Sequence, residues 1–343
     1  MKKPSIREVA NLAGVSTATV SNVFSGKKPV NTDLKERVQN AAESLGYQVN
    51  RVASQLRSQH NKVVTVLVPN ITDTFFATIV TLLESFAYEQ GYDVIVASAH
   101  DQTDIEQSRI RTLLSWHPAG MIVVPCSGNL PQILIDKADA CPVVLVDRVA
   151  VDESALDSIT INNRDSGEMA CRYLREAGHK NILTIASDLS FPPINERVEG
   201  GKQAVRALLE NTNSATHDVI EIGADLDAGA VKVGEWLDAN PHPTAIFSLT
   251  NVTTLSTLTA LAERNIKVGE DISLLVFDDY AWMSARSVSL TAVRQPVEAI
   301  AKHAWDRLML RINGDAEQNV KLSTVLEAEL IERASVLNFA IEK

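Results

Sequence analysis

The chain predicts a small all-α head followed by an α/β core of two doubly wound parallel-sheet lobes. Three observations carry this. The first sixty residues hold helix caps and apolar residues at helical spacing. From Val63 onward, short β-branched runs alternate with helical stretches, the pattern of buried parallel strands and their crossovers. The alternation then runs a second time after Ile159–Ile161, which implies two sheets side by side.

In the head, Ser5 and Glu8 have the S-x-x-E spacing of a capping box, so a helix starts at Ile6. Ile6, Val9 and Ala10 then fall on one face. Gly14 supplies a turn, and Ser16 caps a second helix whose inner face is Val20 and Val23. Two helices this short bury little. A third, Thr32 to Leu45, with Leu34, Val38, Ala41, Ala42 and Leu45 inward, closes the core. Thr17, Ala18, Ser21 and Asn22 remain on the outer face of the second helix. A small, polar, exposed helix face suits the major groove of duplex DNA.

In the core, Val63–Val68, Asp93–Ala97, Gly120–Val124 and Val143–Val146 read as strands. Helices over Thr74–Gln90, Asp104–Trp116 and Asn129–Ala138 lie between them. The second series has strands Asn181–Ala186, Asp218–Ile222, Ala245–Phe247 and Ile272–Phe277. Its helices are Arg164–Ala177, Pro193–Leu209, Ala228–Ala239 and Thr253–Arg264. Gly91 and Gly178 stand where helix C-caps belong. The tail reads as a helix over Pro296–Ile312 and a strand-like stretch over Val320–Glu332. It must return to both sheets, so the chain should cross between the lobes several times. Lobes joined that way open and close around a ligand in the cleft.

Charge divides at the same place. Residues 1–62 carry ten Lys/Arg against four acidic residues, a balance of +6; the remainder carries 22 against 39, or −17. A basic head on an acidic body points to a polyanion ligand for the head alone. The three cysteines are scattered with no C-x-x-C, and no His spacing suits a metal. No run of about 18 apolar residues marks a membrane span. No apolar stretch follows Met1-Lys-Lys-Pro, so a cytoplasmic chain is expected.

These residues resemble the lactose/galactose repressor (LacI/GalR) family of bacterial transcription regulators. The most specific stretch is Ile6-Arg-Glu-Val-Ala-Asn-Leu-Ala-Gly-Val-Ser-Thr-Ala-Thr-Val-Ser21, followed by Glu43-Ser-Leu-Gly-Tyr47 and Asn50–Arg57. Further matches are Val66–Phe76, Val143–Arg148, Gly178–Ile182, Arg197-Val-Glu-Gly200 and Leu274–Asp279. The resemblance implies a periplasmic-binding-protein-like core and a helix-turn-helix head that binds operator DNA as a homodimer. It sets the head at 1–46, a hinge at 47–61 and the core at 62–341. Lobe 1 would take about 62–162 and 293–321, and lobe 2 about 163–292 and 322–341.

The resemblance places Thr17, Ala18 and Asn22 at base-reading positions, with Ser16 and Ser21 more suited to caps or phosphates. The family usually has Arg where this chain has Asn22. Arginine forks onto guanine and asparagine pairs with adenine, so the operator should depart from the common family sequence there. A phosphate contact by Asn22, or an idle surface position, is the alternative. Asn50, Leu56 and Arg57 match the hinge, with Leu56 at the position of a leucine that wedges into the minor groove. Packing of Leu56 on its own domain is the alternative. The family's usual Pro and Arg in this hinge are Val49 and Ser54 here.

Ligands in open α/β sheets sit at the carboxyl ends of strands. That rule selects Asn70–Phe76, Ser98–Asp101, Pro125–Ser127, Asp147–Arg148, Ser187–Asp188, Ser248–Asn251 and Asp278–Trp282. The family's ligand-gripping arginine and aspartate match Arg197 and Asp278, and Asn251 matches a polar contact. Asp147 and Phe75 would come from the first lobe, with Phe75 or Trp282 stacking on a ring. Arg148 adds a second cation, which leaves a sugar, a sugar acid, a phosphorylated sugar or a nucleoside open. Many relatives have Asp after the position of Asn251, where this chain has Val252. The ligand geometry should differ on that side.

No dinucleotide fingerprint, Walker loop or nucleophile motif occurs, so neither an enzyme nor a cofactor is expected. A transport receptor would lack the basic head. An α/β enzyme with a DNA-targeting appendage, or an architectural DNA binder without an effector, are the other readings. Thr74–Gln90 and outer helices of the second lobe are expected to make the dimer. Val336–Ile341 is too short for leucine heptads, which favours a dimer over a tetramer.

Overall fold

The computed structural model describes residues 4–25, 30–47, 62–149, 155–209, 216–315 and 320–339. Two compact units result, Met1–Asn61 and Lys62–Lys343. The hinge positions Asn50, Leu56 and Arg57 lie outside the described residues.

The first unit contains α1 (Ile6–Ala13), α2 (Thr17–Ser25) and α3 (Thr32–Leu45). The capping box at Ser5 forms: its hydroxyl accepts the Glu8 N–H at 3.4 Å, and Glu8 accepts the Ser5 N–H at 2.6 Å. Gly14 turns the chain at φ +63°, a conformation costly for residues with a Cβ. Ser16 caps α2 by accepting the Thr19 N–H at 3.1 Å. Val9, Ala10, Ala13, Val20, Val38, Ala41 and Ala42 are buried together. Arg37 ties α3 to α1 by donating to the Ala13 carbonyl at 2.5 Å. One expectation is corrected here. Leu45 is 36% exposed, because Tyr47, beyond the Gly46 cap, packs back on the cluster instead.

The second unit contains two six-stranded sheets of the same plan. Lobe 1 is built from β1 (Val63–Val68), α4 (Thr74–Glu89), β2 (Asp93–Ser98), α5 (Thr103–Ser115), β3 (Gly120–Val123), α6 (Gln132–Lys137), β4 (Val143–Val146) and β5 (Asp157–Ile161). Lobe 2 follows with α7 (Asn163–Glu176), β6 (Asn181–Ala186), α8 (Pro192–Leu209), β7 (Thr216–Glu221), α9 (Leu226–Ala239), β8 (Ala245–Ser248), α10 (Asn251–Glu263), β9 (Ser273–Phe277), α11 (Ala281–Ser284) and β10 (Thr291–Arg294). The return segment is α12 (Val297–Ile312), β11 (Ser323–Leu326) and β12 (Glu329–Ile331). The orders are β11-β5-β4-β3-β1-β2 and β12-β10-β9-β8-β6-β7.

The central strands are buried on both faces, as their β-branched runs require: Val63–Val68 and Ser273–Phe277 are buried throughout. Gly91 and Gly178 both have positive φ, as the C-cap positions demand. Helix α12 returns to lobe 1 and buries Trp305, whose ring meets Tyr92 edge-on at 5.8 Å.

The tail departs from the sequence reading in detail. Val320–Glu332 is not one strand-like stretch: β11 pairs parallel with β5 in lobe 1, and β12 pairs antiparallel with β10 in lobe 2. The chain therefore passes between lobes after β5, after β10 and after β11. Lobe 1 reaches Leu326, past the boundary drawn at 321, because the free edge of β5 takes one more strand. Strand β10 begins the return at Thr291, still inside lobe 2.

Candidate functional site

Two surfaces follow from these elements. In the first unit, the cap at Ser16 and the inward Val20 fix the rotation of α2. Thr17, Ala18 and Ser21 are thereby exposed, and Asn22 is half-exposed beside them. Ser16 has its oxygen engaged by Thr19.

In the second unit, the carboxyl ends of both sheets meet around one cavity of about 480 Å³, its mouth included. Lobe 1 contributes Asp73, Phe75 and Phe76 from the start of α4, and Asp147 and Arg148 from the end of β4. Lobe 2 contributes Phe191 and Ile194 around the start of α8, Arg197 one turn on, and Asn251, Asp278 and Gln295 from strand ends.

Arg197 is 4% exposed and rigidly held. Its Nε donates to Asn163 Oδ1 at 2.9 Å, its Nη1 donates to the Leu249 carbonyl at 2.9 Å, and its guanidinium stacks on Phe277 at 3.4 Å from the ring centre. Burial lowers its pKa, while Asp278 and Asp147 act in the opposite sense. Asp278 Oδ1 accepts the Gln295 amide at 2.6 Å, and Oδ2 accepts the Tyr280 hydroxyl at 3.3 Å. Burial pushes the Asp278 carboxyl up to about 6, against the pull of Arg197 and Gln295. Asp147 and Asp73 are also raised, chiefly by burial. Among the described residues no salt bridge joins Arg197 to Asp278, so the two present separate polar groups from one lobe.

Arg148 reaches across the mouth. Its Nη1 donates to Asp101 at 2.7 Å, and its guanidinium lies 5.3 Å from the Phe76 ring centre and 4.2 Å from that of Phe191. Phe191 belongs to lobe 2, so this cation–π contact spans the cleft. The backbone at Gly128 approaches Pro192 of lobe 2 nearby; a Cβ there would sit 3.2 Å from the proline ring.

The structure thus brings Phe75, Asp147, Arg148, Arg197, Asn251 and Asp278 to one cavity. Trp282 is elsewhere. The short α11 turns inward at Met283, and Trp282 packs half-buried on the lobe 2 core rather than lining the cavity. The sequence reading missed Phe191, Ile194 and Gln295. Phe191 and Ile194 lie beyond the loop that the strand-end rule selected, and Gln295 follows β10, a strand not assigned from sequence. Among the described residues no cluster of His, Cys, Asp and Glu is arranged to hold a metal. No helix among them is long and apolar enough to cross a membrane.

The family model for periplasmic binding proteins and the sugar binding domain of the LacI family matches residues 61–332, and the model for bacterial regulatory proteins of the lacI family matches residues 5–50. The chain belongs to the LacI family. It is a ligand-responsive, DNA-binding transcription regulator. It is 30% identical over 335 residues to the HTH-type transcriptional repressor PurR of Vibrio atlanticus, covering 96% of this chain and 98% of that one. It is 27% identical over 331 residues to the ribose operon repressor of Haemophilus influenzae, covering 96% and 98%. Among solved structures, the lac repressor dimer bound to operator and the anti-inducer ONPF superposes with a TM-score of 0.82 at 26% identity, covering 98% of this chain and all of that one.

Proposed function

We propose that this regulator represses a carbohydrate pathway, and that a small molecule in the cleft controls its grip on operator DNA. The observation that carries the reading is the convergence of Arg197, Asn251 and Asp278 from one lobe with Phe75 and Asp147 from the other on a single cavity. A guanidinium, an amide and carboxylates address adjacent hydroxyls, and an aromatic edge lies against the apolar face of a ring.

The head, at 1–46, reads the major groove with Thr17, Ala18 and Asn22, while Ser16 and Ser21 sit beside phosphates. The hinge, at 47–61, contributes Asn50, Leu56 and Arg57. The chain acts as a cytoplasmic homodimer, as the lac repressor in the operator complex is a dimer. It acts by binding rather than turnover: Arg197 and Asp278 are fixed to structural partners, and its relatives are repressors.

The mechanism is a population shift. A ligand touching both lobes favours the arrangement in which all its contacts are made, and so changes DNA affinity. Coupling of this kind is worth about 1–3 kcal/mol, or roughly 5–150-fold. The Arg148–Phe191 contact belongs to the closed arrangement, so its loss favours opening.

The test is retention of genomic fragments by the full chain at low ionic strength, with and without sugars that raise its melting temperature. Selective retention that changes at least 5-fold with a stabilising sugar supports the reading. Negligible retention, or retention indifferent to every stabilising compound, overturns it.

A further inference from the structure

The cavity's charges narrow the ligand class. This step rests on the reading above and deepens it. Three carboxylates, those of Asp73, Asp147 and Asp278, line the cavity together with two guanidinium groups. The guanidinium of Arg148 is already matched by Asp101, at 2.7 Å, and by the Phe191 and Phe76 rings. With Asp101 counted, two guanidinium groups face four carboxylates, Arg148 acting on Asp73 and Asp147, and Arg197 on Asp147 and Asp278.

A second observation concerns Gln295, which is 5% exposed and lines the same cavity. Its Nε2 donates to Asp278 at 2.6 Å. A carboxylate accepts and cannot donate, so this bond fixes which end of the amide faces Asp278. The other end, Oε1, is therefore an acceptor, and it is buried without a hydrogen-bond partner among the described residues. A buried acceptor left unsatisfied is costly and calls for a donor from outside the protein.

We infer that the cleft takes a neutral or amino-bearing polyol and selects against carboxylates and phosphates, because four carboxylates outnumber two guanidinium groups around it and the buried Gln295 Oε1 lacks a donor among the described residues. An anionic sugar entering this space would lose its hydration and meet like charge. Hydroxyl or ammonium groups would donate to oxygens that already face the cavity. Burial raises all three carboxyls, and neighbouring carboxylates add to the rise at Asp73 and Asp278.

The test uses matched probes on the full chain. Glucose, glucosamine, glucuronate and glucose 6-phosphate are titrated by calorimetry and melting-temperature shift, with the corresponding galactose and ribose series. The neutral or amino member of a series should bind at least 10-fold more tightly than its acid or phosphate. Asp147→Asn should shrink that ratio several-fold. An acid or phosphate that binds as tightly as its neutral parent overturns the inference.

Should no probe bind, unliganded Asp73→Asn and Asp147→Asn decide. Both should melt at or above wild type at pH 8, with a gain that falls as salt is added. Lower melting points would mean that these carboxylates are needed to balance cations, which refutes the charge argument. The two failures are separable. An anion that binds and changes DNA retention refutes only the ligand class. A neutral ligand that binds and leaves retention unchanged refutes the regulatory reading.

Discussion

Asp147 and Asp278 occupy the same position in the two lobes. Each follows the fourth strand of its lobe, β4 or β9, and each adopts a left-handed backbone, at φ +65° and +69°. Each donates its N–H to the next strand of its sheet, Asp147 to Ile159 at 3.0 Å and Asp278 to Val293 at 2.9 Å. The repeated fold thus delivers one carboxylate from each side to the same cavity. Non-glycine residues held at such φ values cost free energy and cluster at functional sites.

Asp278 should make stability depend on pH. Its carboxyl is raised from 3.8 to about 6 by burial, with Asp73 and Asp147 adding to the shift, Arg197 and Gln295 opposing it, and the Tyr280 hydroxyl facing it. The folded state holds the proton to a higher pH than the unfolded chain. Stability from this group is therefore complete below about pH 4 and lost as pH rises through about 6. At about 1.4 kcal/mol per unit, the loss amounts to about 3 kcal/mol at most. Asp278→Asn keeps an acceptor for Gln295 and removes the titration. The stability of this variant relative to wild type should rise between pH 4 and 6 and level off above; a flat difference in denaturant titrations would contradict the assignment.

Much of this was legible beforehand, for identifiable reasons. Buried parallel strands such as Val63–Val68 announce themselves as β-branched runs. Strand-end logic reached Asp147, Asn251 and Asp278 because their loops follow such runs directly, whereas Arg197, inside the helix beyond its loop, came from the family resemblance. The tail was less legible. β10 has four residues and β12 three, both at or near a sheet edge, so neither has room for a pattern. That β11 and β12 enter different lobes depends on which edges are free, a property of the assembled sheets. Trp282 illustrates the same limit: its neighbour Met283 is fully buried and draws the short helix onto the core.

The α7–α8 crossing should be intolerant of a single methyl. A Cβ at Gly167 would overlap the Arg197 carbonyl, and one at Gly200 would overlap the Arg164 carbonyl. Both obstacles are backbone, so the helices must part. Overpacking of this kind costs roughly 1–3 kcal/mol. Because α7 also carries Asn163, which holds Arg197, Gly167→Ala should weaken effector binding as well as lower the melting temperature. Unchanged affinity for a stabilising sugar in a folded Gly167→Ala protein would show that the crossing does not position Arg197.

Asp279 closes lobe 2. Its side chain is 5% exposed and accepts from Arg333 at 2.8 Å and from Arg294 at 2.6 Å, joining the end of β9 to β10 and to the segment after β12. Burial would raise its pKa, yet the two arginines outweigh it and hold the group below the ordinary carboxylate value. Breaking a buried pair costs about 3–5 kcal/mol; Arg294 remains 44% exposed, so Asp279→Ala should fall near the lower end of that range. The sign of its pH dependence is opposite to that of Asp278: its stabilisation is present above the unfolded pKa and lost as pH falls through the folded one. Chemical denaturation of Asp279→Ala at pH 7 checks the magnitude, and a loss below about 1 kcal/mol would mean that the β12 segment is held by its strand pairing alone.

In the head, Asn22 sits half-exposed next to Thr17, Ala18 and Ser21, on the face of α2 opposite the buried Val20. An asparagine amide pairs bidentately with the adenine edge, whereas arginine forks onto guanine. Asn22→Arg should therefore exchange an adenine preference for a guanine preference at one symmetric pair of operator positions. The change in discrimination should be about 1–3 kcal/mol, with other positions unaffected. Selection of binding sites from a random duplex pool by both proteins reads this directly. If the preferred base at every position is the same for the two, and only overall affinity rises with the added positive charge, Asn22 contacts phosphate rather than a base.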